Sequence, residues 1–245
     1  NDRPGILLSS AIKKYVDFYG VKSGEKIILF TNNDTAYETA LSLNDKGIKV
    51  EAIIDIRNEN DSELIKSVKN LNIQIFNNHT IVDTEGYKRI NKVSIMELSK
   101  DGTSVVGKKI NINCDCLGMS GGWTPAVHLF TQSGGKLKFR NSDNVFIPNV
   151  YSSDQLCIGA CNGDFELSDI IKNIPDQINK FLNVSDESFK NIKISSTKEN
   201  NYRNIWLLPS DKVLGKTKPF VDYQNDATAK DIKLALREGF RSIEH

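Results

Sequence analysis

The chain has 245 residues, and its 32 Lys and Arg residues nearly balance its 31 Asp and Glu residues, so the formal charge is +1. That length suits one or two domains. The balance of charge argues against nucleic acid or a membrane surface as a partner. No apolar run reaches the roughly 18 residues of a membrane-spanning helix. Four cysteines are too few for a disulfide scaffold, which predicts reduced thiols and a cytoplasmic location.

The first residues lack an initiator Met and a signal-peptide pattern, so we expect a processed chain or a piece of a longer one. Apolar residues then recur every three to four positions from Ile6 to Tyr19, followed by Gly20. This spacing predicts an amphipathic helix that ends at the glycine.

A β-α-β unit follows. Two apolar runs, Lys26 to Phe30 and Val50 to Ile56, are typical of parallel strands that are covered on both faces. The polar turn Thr31-Asn32-Asn33-Asp34 and a helix from Thr35 to Lys46 connect them. A helix N-terminus at this point can bind phosphate, and an acid about 20 positions on, here Asp55, can bind a ribose hydroxyl. Because Gly-x-Gly-x-x-Gly is absent, the unit is either a dinucleotide site or the same fold with its site empty or altered.

The remaining pattern predicts further short elements. The predicted helices are Ser62 to Leu71, Leu167 to Leu182 and Ala229 to Glu238, the last with a capping box formed by Thr228 and Asp231. The predicted strands are Ile73 to Phe76, Cys114 to Met119 and Leu156 to Ala160, with a β-meander between Thr80 and Ile112. Asn183 to Asn204 is polar and predicts a linker.

Two glycine-bearing turns are candidate cofactor sites. The first contains Ser120, Gly121 and Gly122, and Trp123 follows as a possible aromatic wall. The second contains Gly159, Ala160, Gly163 and Asp164, and it precedes a predicted helix. Small residues let backbone N–H groups approach a phosphate closely. For the first turn, the alternative is a tight crossover in which Trp123 only packs against other residues. For the second turn, the alternative is an ordinary strand-to-helix turn without a ligand.

Neither a metal site nor a nucleophilic catalytic group is indicated. The cysteines lie close together in sequence as Cys114 with Cys116 and Cys157 with Cys161. These spacings are not those of zinc sites, and they suit buried, reduced thiols. His128 lies in an apolar segment and is interpreted as a half-buried structural residue. With no convincing acid–base group, the sequence favours a cofactor-holding or structural role.

Four stretches resemble the α subunit of heterotetrameric sarcosine oxidases, and the last three of them are specific. They are Asn1 to Leu8, Phe30 to Asp34, Ser120 to Phe130 and Phe220 to Asp231. The resemblance implies an α/β fold with two nested dinucleotide-binding domains, like that of disulfide reductases. Mapped here, residues 1–23 belong to the first domain, 24–113 to the second, inserted domain and 114–182 to the first again. Residues 183–217 are a linker, and 218–245 begin a truncated ferredoxin-like helical domain.

The same resemblance implies the cofactors and partners. NAD is expected in the α subunit, at the two glycine turns, and FAD and FMN are expected on or at the β subunit. The partners are the β, γ and δ subunits. The complex would demethylate sarcosine oxidatively, pass the one-carbon unit to tetrahydrofolate and release hydrogen peroxide.

Relatives with a ferredoxin-like domain carry Cys-x-Cys at positions where this chain has Asp222 and Gln224. Because a carboxylate and an amide are poor ligands for a soft cluster, we expect no iron–sulfur cluster. Two alternatives remain open: the α subunit of a related amine, opine or proline dehydrogenase, and a non-catalytic nucleotide-binding scaffold.

Overall fold

The structure is a computed structural model, and it describes residues 3–58, 62–152, 154–185 and 202–242. The chain divides into two compact units. The first unit comprises Asn1–Thr31, Thr35–Ser120 and Ile205–His245, and the second comprises Asn32–Asp34 and Gly121–Asn204.

Twelve strands and six α-helices occur in the described residues. In chain order they are β1 (Ile6–Leu8), α1 (Ser9–Tyr19), β2 (Ile27–Thr31), α2 (Thr35–Asp45), β3 (Val50–Asp55), α3 (Glu63–Lys69), β4 (Gln74–Asn77), β5 (His79–Glu85), β6 (Lys92–Leu98), β7 (Val105–Asn113), β8 (Cys116–Ser120), α4 (His128–Gln132), β9 (Lys136–Arg140), β10 (Val145–Val150), α5 (Leu167–Leu182), β11 (Phe220–Asp222), β12 (Ala227–Thr228) and α6 (Ala229–Arg237). Two short 3₁₀ helices span Gly159–Asn162 and Leu214–Lys216.

The first unit has three layers around a parallel sheet with the strand order β1-β8-β2-β3-β4. Successive side chains of β2 point to opposite faces of the sheet. Ile27 and Leu29 pack with residues of α1, α2 and α3 in one core. Ile28 and Phe30 pack in a second core with the antiparallel β5-β6-β7 meander. The α/β fold and the fully buried parallel strands are therefore as predicted.

Three predictions from the sequence are wrong. The predicted first helix begins later, at Ser9, because Ile6–Leu8 pairs in parallel with Leu117–Met119 of β8. The predicted strand from Leu156 to Ala160 is absent from the described residues, where a 3₁₀ helix begins at Gly159 with φ of 67°. His128 is exposed at the start of α4 and is not half-buried.

The sheet also crosses two of the predicted domain boundaries. β1 lies within residues 1–23 and β8 within 114–182, yet both join the same sheet as β2. Segments on either side of residues 23/24 and 113/114 thus belong to one compact unit. Which nucleotide-binding domain of the relatives each segment represents stays a prediction.

The end of the predicted linker, residues 205–217, is part of the first unit. Ile205 and Leu208 pack against the meander core, and Lys212 Nζ pairs with Asp83 at 2.6 Å. Residues 186–201 of the linker lie outside the described residues. The predicted capping box at α6 is present, with Thr228 and Asp231 bonded reciprocally. No helix within the described residues has the length and apolar character needed to cross a membrane.

Candidate functional site

The carboxyl ends of β2, β3 and β8 meet at one edge of the parallel sheet. Thr31 is in register with Asp55 on one side and with Ser120 on the other. The Ser120 hydroxyl lies 2.8 Å from the Thr35 hydroxyl at the first residue of α2. In open α/β sheets, ligands bind at this kind of edge. Ser120, predicted as a cofactor residue, is thus at the expected end of its strand.

The Asp55 carboxylate, however, is occupied by the protein's own groups. It accepts hydrogen bonds from the Tyr37 hydroxyl at 2.9 Å and from Arg57 Nη2 at 2.7 Å. Arg57 also donates through its backbone N–H and through Nε. Asp55 is 1% exposed and Arg57 5% exposed. A ribose hydroxyl could reach this carboxylate only if the arginine moved.

The turn between β2 and α2 has its polar side chains buried. Asn32, Asn33 and Asp34 are at most 7% exposed. Asn32 Nδ2 donates to the Gly121 carbonyl at 3.3 Å and to Asn204 Oδ1 at 3.2 Å. The backbone N–H of Arg203 donates to the Asn32 carbonyl at 3.3 Å. Asn32 therefore links three segments of the second unit, a structural role that the sequence did not reveal.

The first glycine turn leaves open space at its backbone. A Cβ placed on Gly121 would meet nothing within 4 Å, and one on Gly122 would lie 3.8 Å from the Asn32 amide. Gly122 has φ of 103°, a conformation that favours glycine. Trp123 is 51% exposed. The space beside the Cα atoms of this turn is therefore unobstructed by the described residues.

The second glycine turn is a 3₁₀ helix closed by internal bonds. The N–H groups of Gly163 and Asp164 donate to the carbonyls of Ala160 and Gly159, each at 3.1 Å. Gly159 and Gly163 both have positive φ, 67° and 83°. Two N–H groups of the predicted phosphate-binding turn are thus already used, and contact with a phosphate is left to its Gly159–Ala160 end.

Arg140, the last residue of β9, binds this second turn through a backbone carbonyl. Its Nη2 donates to the Gly163 carbonyl at 2.7 Å, and its Nε donates to Asp143 Oδ1 at 2.8 Å. The ion pair raises the pKa of Arg140 and lowers the pKa of Asp143. A Cβ on Gly163 would lie 2.8 Å from both Arg140 Nη2 and Ile147 Cγ2. Only glycine allows this packing, and neither arginine nor aspartate was singled out from the sequence.

The cysteines and the Asp222 segment give no metal site. Burial raises the pKa of Cys114 to about 12 and of Cys116 to about 11. Asp222 accepts bonds from the Gln224 N–H at 2.8 Å and from Asn225 Nδ2 at 2.6 Å, so its carboxylate fixes a turn. In the part of the chain that the structure describes, no three His, Cys, Asp or Glu side chains come together as metal ligands. The absence of an iron–sulfur cluster stays a prediction.

Comparison with solved structures gives the class of fold. The chain resembles L-proline dehydrogenase from P. horikoshii, with a TM-score of 0.58 and 16% identity over 98% of this chain and 43% of that chain. It also resembles the flavoprotein disulfide reductase RclA from Escherichia coli, with a TM-score of 0.52 and 13% identity over 75% and 40% of the two chains. The chain thus has a fold like that of a flavoprotein disulfide reductase, as predicted.

Comparison with curated sequences gives the nearer relationship. The chain is 30% identical to sarcosine oxidase subunit alpha from Corynebacterium sp. (strain P-1) over 254 residues, which is all of this chain and 26% of that protein. Residues 216–245 match the family model of the sarcosine oxidase A3 domain. The chain spans about a quarter of the length of the curated relatives it matches. The resemblance to sarcosine oxidase α subunits is therefore confirmed over the whole chain.

Proposed function

We propose that this chain is part of the α subunit of a heterotetrameric sarcosine oxidase. The observation that carries the proposal is the similarity to such subunits along all of its length. The complex would oxidise sarcosine to glycine, transfer the one-carbon unit to tetrahydrofolate and reduce oxygen to hydrogen peroxide. Its partners would be the β, γ and δ subunits, in the cytoplasm. FAD and FMN would lie on or at the β subunit.

In this assembly the chain would hold NAD and perform no acid–base step. The proposed contacts are Ser120, Gly121, Gly122, Gly159, Ala160, Gly163 and Asp164. The open backbone at Gly121 and Gly122 supports the first turn. The engagement of the Asp55 carboxylate by Arg57 disfavours the alternative site beside β3. Bound NAD would supply a redox-active nicotinamide or a structural anchor, and these turns would bind and orient its phosphates.

A second candidate is the α subunit of an L-proline dehydrogenase. One observation favours it: the resemblance to that enzyme's structure covers 98% of this chain. The two candidates share the fold and differ in the amine that is oxidised. At 16% identity the resemblance extends only to the fold, whereas the sequence similarity to sarcosine oxidase subunits is higher.

The test is to express the full-length subunit with the β, γ and δ subunits and to offer sarcosine and L-proline separately. Peroxide release with sarcosine, accompanied by methylene-tetrahydrofolate when the folate is present, is the expected result. Dye reduction with proline and none with sarcosine would overturn the assignment in favour of the dehydrogenase. The 245-residue chain alone should release no peroxide from sarcosine, because we assign it no amine-binding group.

The nucleotide turn is tested by two substitutions in the full-length subunit, with NAD content measured after purification. Gly163→Val should empty the site, because the new side chain would displace the Arg140-bound turn. Asn32→Ala should lower the NAD content less. If Asn32→Ala empties the site while Gly163→Val leaves it full, the nucleotide belongs to the Thr31–Asp34 turn.

A further inference from the structure

One chain of hydrogen bonds connects the two glycine turns within the second unit. At one end, Arg140 binds the Gly163 carbonyl and the Asp143 carboxylate. The backbone carbonyl of the same Asp143 accepts a bond from Asn204 Nδ2 at 3.2 Å. The path from the second turn therefore leads through an ion pair to a single amide side chain.

The other end of the path starts from the same amide. Asn204 Oδ1 accepts a bond from Asn32 Nδ2 at 3.2 Å, and Asn32 Nδ2 also donates to the Gly121 carbonyl at 3.3 Å. Asn204 thus uses its donor towards one turn and its acceptor towards the other. An asparagine amide carries its donor and its acceptor on two separate atoms, so Asn204 can bond in both directions at once. An aspartate at this position would keep the acceptor and lose the donor.

We infer that Arg140 and Asn204 are positioning residues that hold the two glycine turns in one arrangement for a pyrophosphate-containing dinucleotide. The inference rests on the proposed function, in which NAD contacts both turns. The two ends of the path are the backbone carbonyls of Gly163 and Gly121. These bonds therefore fix the backbone through carbonyl oxygens, while the Gly163 N–H bonds to the Ala160 carbonyl within its own turn and leaves phosphate contact to the Gly159–Ala160 end.

The ion pair makes the Arg140 end of the path the stronger one. Hydrogen bonds between an ionised donor and an ionised acceptor are roughly twice as strong as neutral ones. The pKa of Asp143 is held down chiefly by the hydrogen bond from Arg140, so the pair stays charged at neutral pH. We therefore expect the largest effect from Arg140 and a smaller one from Asn204.

The experiment uses the full-length subunit in its complex and the variants Arg140→Met, Asn204→Ala and Asn204→Asp. Matched controls are Arg89→Met, which removes another arginine-to-carbonyl bond, and Asn225→Ala, which removes another asparagine side-chain bond. Calorimetry gives the NAD dissociation constant. Hydrogen exchange, measured without NAD, reports on the segments that contain Gly121–Gly122 and Gly163–Asp164.

We expect about tenfold weaker NAD binding in Arg140→Met, several-fold weaker binding in both Asn204 variants, and unchanged binding in the controls. Exchange should rise in both turns in Arg140→Met, although Arg140 contacts only the second. The double variant Arg140→Met/Asn204→Ala should bind NAD about as weakly as Arg140→Met alone, because both changes break one path.

Unchanged exchange at Gly121–Gly122 in Arg140→Met would overturn the inference, as would additive losses in the double variant. The proposed function fails separately, if the unmodified complex binds no NAD. In that case the exchange measurement still decides whether the two turns are held together. A purely structural role would raise exchange at the second turn alone.

Discussion

The strand end at Asp55 and the turn at Gly163 look alike in the sequence, and they differ in how the chain satisfies their polar groups. At Asp55, an arginine from two residues further on takes the carboxylate, and the site is closed. At Gly163, Arg140 of the β9–β10 hairpin donates a hydrogen bond to the backbone carbonyl of the turn and does not bind a side chain there. A residue that matches a ligand-binding motif in type and spacing can therefore contact a ligand only through polar groups that no other residue of the chain already bonds.

The closed strand end should be sensitive to loss of its arginine. Arg57→Met leaves the Asp55 carboxylate buried without its cation, which should lower the free energy of unfolding by about 3–5 kcal/mol. Tyr37→Phe removes one hydrogen bond to the same carboxylate and should cost about 1 kcal/mol. Urea denaturation of both variants checks this. Equal losses in the two variants would contradict a closed, charge-paired strand end.

The second glycine turn should tolerate a larger side chain at Gly159 but not at Gly163. Gly163→Val brings a branched side chain against Arg140 and Ile147 at positive φ, and should cost about 3 kcal/mol. Gly159→Ala meets its nearest neighbour, Ile170 Cγ2, at 3.4 Å and should cost about 1 kcal/mol from backbone strain alone. Denaturant curves give both values. A Gly159→Ala loss as large as that of Gly163→Val would mean that strain, not the arginine, sets the requirement for glycine.

The two units also separate the four thiols. Cys114 and Cys116 are buried in the first unit, with pKa values raised to about 12 and 11, whereas Cys157 and Cys161 are partly exposed in the second, where desolvation also raises the pKa of Cys157. Because the thiolate is the reactive form, the buried pair should react with a maleimide at pH 8 about a hundredfold more slowly. Mass spectrometry over time measures this. Replacing Cys157 and Cys161 with serine should leave only the slow class of thiols.

The smallest expected effect is on the pH dependence of stability that arises from the Arg140–Asp143 ion pair. The hydrogen bond from Arg140 lowers the pKa of Asp143 in the folded protein. The ion pair therefore stabilises the fold fully at pH values above the pKa of the unfolded carboxylate, near 4. This contribution is lost as the pH falls through the lower pKa of the folded state. Both side chains are partly exposed, so the contribution is under about 1 kcal/mol. Asp143→Asn should remove this part of the acid dependence. Identical pH profiles of stability between pH 2 and 5 would show that the pair contributes nothing.

The elements that local pattern alone determines could be predicted. The structure contains strands β2 and β3 and the helix Leu167–Leu182 at the predicted positions. A strand that is buried on both faces needs a continuous apolar run, and a helix that is buried on one face needs an apolar residue every three to four positions. β1 could not be predicted, because its three residues are strand only through pairing with β8, more than a hundred residues away. The apolar run before Gly159 was short enough to suit either a strand or a coil.

The candidate site could be predicted in part. Glycines at turns carry a local signal, and Gly122, Gly159 and Gly163 do adopt the positive φ that makes glycine necessary. Arg140 and Asn204 carry none, because a charged residue on a strand and an asparagine in a polar segment are ordinary surface residues. Their roles arise from contacts with partners 23 and 172 residues away. Such partners are known only once the chain is folded.

The position of β8 in the sheet has a consequence for synthesis. β1 and β2 are close in sequence but are joined only through β8, which pairs with both. A chain growing on the ribosome therefore carries two apolar strand edges with no common neighbour until Ser120 has emerged. Pairings over such separations form slowly, and open edges invite association with other chains. Products that terminate before Cys116 would lack β8, the strand between β1 and β2, and they are the ones that would require a chaperone or be degraded.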